Sequence, residues 1–320
     1  MPAISGSAPG KSILFGEHAV VYHRPAIAVP VTQVQARAVV LANPLGTPGQ
    51  IQIDAPDIDL HCNIESLSQD HPLVILLVEL RSHFGINRFP AFTLRIKSTI
   101  PIAAGLGSGA AVSVAVARAV SCFLGYPLPN EKISEMVYLV EKTYHGTPSG
   151  IDNTVITFAQ PIYFVKEKPF ELLQVAKPIT LVIGDCGVRA PTGEMVAGVR
   201  QRWEQDPAKY EKIFDEISEI VMDARMSIEN GELDSLGGLM TANHQLLQQL
   251  AVSTPLLDQL IDAAIAAGAE GAKVSGAGGG GNMIALSKPG DAEKIAQNLH
   301  FAGAARTIIT EIKPAGSNSE

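Results

Sequence analysis

The chain has 320 residues, 46% of them hydrophobic and 5% aromatic, with 24 Lys+Arg against 32 Asp+Glu and a formal net charge of −8. At roughly 100–200 residues per domain, this is one large or two medium domains with a mainly aliphatic core. The acidic balance and the lack of any basic block argue against nucleic acid as a partner, and an anionic substrate needs local cations. Cys62, Cys122 and Cys186 are odd in number and far apart, which argues against a disulfide framework or a zinc site. A reducing cytoplasm is the expected location. Neither the N-terminal MPAISGSAPGK nor the apolar run 100–124, interrupted by Arg118, has the pattern of a signal core or a membrane span.

In chain order, residues 12–42 read as strands, SILF and then AIAVPVTQVQARAVV, and 51–60 (IQIDAPDIDL) alternate in the same way. Residues 73–84 read as a helix, with a buried strand as the alternative, and 92–97 as a strand. A glycine-rich turn then leads into a small-residue helix over 110–124, with Gly125 as its C′ residue. The next helix, 131–144, places Ile133, Met136, Val137, Val140 and Tyr144 on one buried stripe, with Glu141 at its edge. From about 178 the texture changes. A strand at 179–185 precedes long helices near 193–205, 208–229 and 232–250 and a shorter one at 255–267. Strands at 272–275 and 282–286, a helix at 291–301 and a strand at 305–312 complete a split βαβ arrangement. The domain boundary is placed near 177, giving 1–177 and 178–320. Residues 314–320 read as a disordered tail.

Four motifs carry chemistry. Pro101 to Ala111, PIAAGLGSGAA, is strand, glycine turn and helix start. Glycine permits positive φ and close backbone approach, and a helix start offers free N–H groups and the positive dipole end to a phosphate. The Walker A Lys-Ser/Thr pair is absent, and a tight turn closing a helix fits the same residues. Glu141 to Asn153, EKTYHGTPSGIDN, puts two carboxylates across one turn, as needed to hold a metal and to orient a hydroxyl in phosphoryl transfer. Asp152 could equally cap the next element. Lys273 to Asn282, KVSGAGGGGN, is a glycine-rich connection whose ordering cost points to a ligand-facing loop, with a floppy hairpin as the alternative. In Ala8 to Tyr22, APGKSILFGEHAVVY, Lys11 stands at a strand start, where it could offset phosphoryl charge. Glu17 and His18 follow the strand's far end.

Together these phrases resemble the GHMP family of small-molecule kinases over nearly the whole chain. The phrases GEHAVVY, HGTPSGIDN, EMVAGVR and NHQLLQQLAVSTPLLDQL resemble the branch of that family acting on mevalonate. The resemblance implies an α+β fold of two domains, ribosomal-protein-S5-domain-2-like and then ferredoxin-like, with ATP and Mg²⁺ as cofactors. It implies Asp152 as the catalytic aspartate and Lys11 as its partner lysine. Ser98, Pro101, Gly105, Leu106, Gly107, Ser108, Gly109, Ala110, Gly276, Gly278 and Gly279 fall at its nucleotide positions. Glu141 and Ser108 are the implied metal ligands. Lys11, Glu17, His18, Ser149, Gly150 and Asp152 are the implied substrate contacts, and a homodimer is suggested by resemblance alone. One position departs. The family usually reads GLGSSAA, and Gly109 replaces the second serine, whose hydroxyl is the family's Mg²⁺ ligand. Two alternatives stay open: a kinase or decarboxylase of the same superfamily acting on a related acid (phosphomevalonate kinase, mevalonate 3-kinase), and a silent metabolite sensor.

Overall fold

A computed structural model describes residues 3–102, 104–145 and 148–314, the side chains of 144 and 145 excepted. The expected disordered tail therefore lies, beyond Pro314, outside the described residues, as do Ala103 of the first glycine loop and Gly146 and Thr147 of the second motif. Contacts group the chain into two compact units. One holds Met1–Gly10, Val34–Pro101 and Gly107–Ala159; the other holds Lys11–Gln33, Ile102–Leu106 and Gln160–Glu320.

The elements in order are β1 (Ile4–Phe15), β2 (Pro25–Ala42), β3 (Ile51–Ala55), β4 (Leu60–Asn63), α1 (Pro72–His83), β5 (Phe92–Ser98), α2 (Ser108–Phe123), α3 (Asn130–His145) and α4 (Ile151–Phe158). Then come β6 (Ile162–Val165), β7 (Glu171–Leu172), β8 (Ile179–Asp185), α5 (Thr192–Gln205), α6 (Pro207–Asn230), α7 (Leu236–Gln249), α8 (Pro255–Ala266), β9 (Gly271–Ser275), β10 (Asn282–Ser287), α9 (Ala292–Phe301) and β11 (Arg306–Ile312). Among the described residues no helix is long and apolar enough to cross a membrane.

In the first unit, β5 pairs antiparallel with residues 36–42 of β2 and parallel with β3, which in turn pairs antiparallel with β4. Helices α1 to α4 pack on one another, and α2 lies on β5. The alternating stretch 51–60 is not one strand. Pro56 opens a 3-10 turn and Asp59 takes φ 52°, so the chain reverses into β4. Strand β1 begins eight residues earlier than the expected SILF strand. Its glycine explains why: a Cβ on Gly6 would lie 2.4 Å from the Ala115 carbonyl oxygen of α2, so only glycine lets this strand lie on that helix. Arg118 fastens the same region, donating to the carbonyls of Ser7 (2.7 Å) and Thr157 (2.6 Å) and to Asn130 Oδ1 (3.0 Å).

In the second unit, β11, β8, β10 and β9 lie side by side in that order, every pair antiparallel. Helices α8 and α9 pack against this sheet and each other, which is a ferredoxin-like layer pair. Helix α6 buries Tyr210, Ile213, Phe214, Ile217, Val221, Ala224 and Ile228 along its length, as the 3.6-residue period predicts, while Ile220 at the edge is half-buried. Phe214 is wholly buried and stacks on Tyr22 at 4.2 Å. Truncating such a side chain to Ala costs about 3–5 kcal/mol. The helix expected over 232–250 starts as a 3-10 turn, and α7 proper begins at Leu236.

Candidate active site

The first unit gathers Ser98, Pro101, Gly107, Ser108, Gly109, Ala110, Glu141, Ser149, Gly150 and Asp152. Gly107 holds φ 73° and caps α2, which starts at Ser108. At this end Ala111 N–H donates to the Gly107 carbonyl at 2.9 Å. The preceding amides thus stand at the positive end of a sixteen-residue helix, the arrangement that binds phosphate. Ser98 closes β5: its N–H donates to Asp57 at 2.7 Å and its hydroxyl accepts from Ile100 N–H at 3.2 Å.

Glu141 projects half-buried from α3. A Cβ added to Gly109 would sit 3.7 Å from Glu141 Oε1, so the α2 start and this carboxylate are neighbours. Asp152 stands in the first turn of α4, a helix the sequence did not announce. Gly150, at φ 92°, is its N-cap, and the Ser149 hydroxyl accepts from Ile151 N–H at 3.4 Å. Asp152 is therefore inside the helix and is not its cap. A negative side chain in a first helical turn is favourably placed. The next residue, Asn153, is buried and anchors α4 by donating to the Ser134 carbonyl (3.1 Å) and hydroxyl (2.9 Å).

The second unit gathers Lys11, Glu17, His18, Gly105, Leu106, Gly276, Gly278 and Gly279. Lys11 was expected at a strand start; it lies well inside β1 and is buried, its N–H donating to the Leu106 carbonyl at 3.0 Å. Glu17 is fully buried against Lys273, whose ammonium donates to Glu17 Oε1. Burial pushes the Glu17 carboxyl up and the Lys273 ammonium down from their ordinary ranges, and their mutual attraction opposes both shifts. The His18 ring donates from Nε2 to the Ala277 carbonyl at 2.9 Å. Desolvation lowers its pKa to about 4, so the ring is neutral near pH 7. Sequence reasoning gave Lys273 and Asn282 no role, although both bound the second glycine motif. Asn282 Nδ2 donates to the Ala104 carbonyl, tying β10 to the first glycine loop.

Residues 276–281 join β9 to β10 and are not a floppy hairpin. Gly279 and Gly281 are held by their backbone: Gly279 N–H donates to the Val252 carbonyl at 2.8 Å and Gly281 N–H to the Val188 carbonyl at 2.9 Å. Gly276 faces Gly105, with its added Cβ 3.9 Å from the Gly105 carbonyl oxygen. A separate cavity of about 470 Å³ in this unit is lined by Tyr22, Arg24, Lys166, Arg200, Trp203 and Glu211, among others, and by none of the expected site residues. Among the described residues no three His, Cys, Asp or Glu side chains gather as a metal cage. Mg²⁺ keeps several waters and takes one or two carboxylates plus substrate phosphates, so a single Glu141 beside a phosphate-type helix start fits it.

Family models match the two parts in order: GHMP kinases N terminal domain over residues 73–160, and GHMP kinases C terminal over 224–305. The chain belongs to the GHMP kinase family and has its two-domain fold; it is an ATP-dependent kinase. Among the proteins it is similar to are mevalonate kinases. That of Pyrococcus abyssi is 38% identical, covering 99% of this chain and 98% of that protein. The crystal structure of the L. major mevalonate kinase in complex with R-mevalonate is 28% identical, with a TM-score of 0.83 over 98% of this chain and 97% of that one. The Methanococcus jannaschii mevalonate kinase structure is 26% identical, with a TM-score of 0.84 over 98% and 99%.

Proposed function

We infer that this chain transfers the γ-phosphoryl group of ATP to the 5-hydroxyl of (R)-mevalonate, giving 5-phosphomevalonate for isoprenoid biosynthesis in the cytoplasm. The observation that carries this reading is likeness to mevalonate kinases along essentially the whole chain, one of them solved with R-mevalonate bound. It favours this substrate over phosphomevalonate or a 3-hydroxyl acceptor, and an enzyme over a silent sensor. The division at 1–177 and 178–320 belongs to the same reading; the family matches at 73–160 and 224–305 fall one on each side. A homodimer is the proposed assembly.

Each residue then has a task. The N–H groups of Gly107, Ser108, Gly109 and Ala110 cradle phosphate oxygens at the start of α2. Ser98, Pro101, Gly105, Leu106, Gly276, Gly278 and Gly279 are the remaining nucleotide positions. Glu141, with Ser108 as a second donor, holds Mg²⁺, which supplies charge neutralisation on the phosphates when bound. Glu17, His18, Ser149 and Gly150 contact mevalonate. Asp152 orients the 5-hydroxyl and takes its proton as the new P–O bond forms and the bond to ADP breaks, and Lys11 balances the charge.

The test is ³¹P and ¹H NMR of the product from ATP, Mg²⁺ and mevalonate. A phosphomonoester coupled to the C5 methylene protons is expected. Turnover only with mevalonate 5-phosphate, or release of CO₂, moves the reading to a related enzyme; no ATP turnover at all leaves a sensor. Asp152→Asn is expected to lower kcat by about 10²–10⁴-fold. Survival of kcat within a few-fold in stopped-time assays removes Asp152 from its role.

A further inference from the structure

One buried lysine has no task in the reaction just described. Lys273, on β9, and Glu17 are both 0% exposed, and no substrate atom can reach between them without displacing one. The ammonium donates to Glu17 Oε1 and to the Val274 carbonyl at 2.7 Å, while Glu17 Oε2 has no partner among the described residues. Taking two charges out of water is expensive, and an apolar pair of the same volume is often at least as stable. Stability alone is therefore a poor reason for an ion pair at this place.

The backbone around Glu17 supplies a better one. Gly16 takes φ 97°, and a Cβ there would lie 2.5 Å from the Pro25 carbonyl oxygen. His18 takes φ 60°, a conformation that L residues with a side chain seldom hold unless their surroundings enforce it. Two left-handed residues flank the carboxylate, and the second aims its ring at Ala277 in the glycine loop. The turn thus needs an outside hold. Glu17 gets it from β9, the strand that runs directly into that loop.

We propose that Lys273 is a positioning residue: by neutralising and gripping Glu17 it sets the Gly16–His18 turn, so that the His18 ring engages the glycine loop in a single tautomer. This rests on the reading of Glu17 and His18 as mevalonate contacts. The other titratable groups acting here are Lys11 from β1 on Glu17, His244 from α7 beside Lys273, and Arg202 from α5 on His18.

Lys273→Met and the neutral double variant Glu17→Gln/Lys273→Met test this in the full-length protein. Three readouts are taken: ¹⁵N NMR of the His18 ring, the KM for mevalonate against kcat, and thermal midpoint. In the parent the Ala277 carbonyl calls for the Nε2–H tautomer, and desolvation lowers the ring's pKa to about 4. In both variants we expect mixed tautomers, titration shifted toward the ordinary histidine value of about 6.5, and a mevalonate KM raised on the order of tenfold with kcat changed less. The single variant leaves the buried carboxylate without its ion-pair partner, so it loses thermal stability as pH rises. The double variant removes that charge and recovers the midpoint without recovering KM or tautomer. A double variant with parental ring signals and KM overturns the proposal, as does a folded single variant that keeps both. If the parent does not phosphorylate mevalonate, the functional reading fails, and the His18 ring still decides whether Lys273 positions the turn.

Discussion

A methyl group placed on Gly105 meets nothing closer than 4.0 Å, whereas one placed on Gly278 meets the Val252 carbonyl oxygen at 2.0 Å, and one on Gly279 meets Met195 Sδ at 2.4 Å. Both loops are glycine-rich and both hold positive φ angles. In the first, space is left open. In the second, most of the space that glycine leaves is filled by the protein's own backbone. Glycine content alone therefore identifies a ligand loop poorly: the run at 276–281 is required by packing, and only Gly276, facing Gly105, retains room.

Substitutions separate the two. The largest effect is expected for Gly278→Ala, where a backbone clash adds to left-handed strain; a loss of about 3 kcal/mol or more in urea unfolding is the expected outcome. A variant of parental stability would mean that the loop is looser than described. Next comes the anchor of that loop, His18. The unfolded ring takes a proton near 6.5 and the buried ring only near about 4, so between these values the unfolded state binds more protons. This group's contribution is present above pH 6.5 and is lost as pH falls toward 4, amounting to about 3 kcal/mol. Urea midpoints across that range should fall more steeply for the parent than for His18→Gln. Gly105→Ala, at φ 80° but in open space, should lose only about 1–2 kcal/mol while raising the KM for ATP. The smallest effect is a gain. Gly109→Ser places a hydroxyl beside Glu141 without a clash, and the Mg²⁺ concentration for half-maximal rate should fall a few-fold.

Much of the fold was legible because its period is strong. The stripe of α6, the strands β8 to β11 and the helix α9 lie where alternation and 3.6-residue spacing put them. Helix α4 was not legible: Ile151, Asn153, Thr154, Val155, Ile156 and Thr157 are all buried, so no polar face marks the helical period. Alternation across 51–60 persisted through a reversal because period two carries no information about strand direction. The first half of β1, SGSAPG, carries no alternating apolar pattern and is ordered by α2, a tertiary cause. The glycine motifs of the candidate site were visible in the sequence, as were its carboxylates. The Glu17–Lys273 pair joins residues 256 apart, and nothing local to either announces the other.

Arg118 first counted only as the charge that spoils a membrane span. Its guanidinium joins the β1 end, α3 and the last turn of α4 to α2, with burial disfavouring its charged form. Lysine, with one ammonium and no planar fork, cannot serve three acceptors in these directions. The consequence concerns proteolysis: segments 150 positions apart along the chain should resist cleavage together and become susceptible together, so that a nick near Ser7 and one near Thr157 appear at the same denaturant concentration.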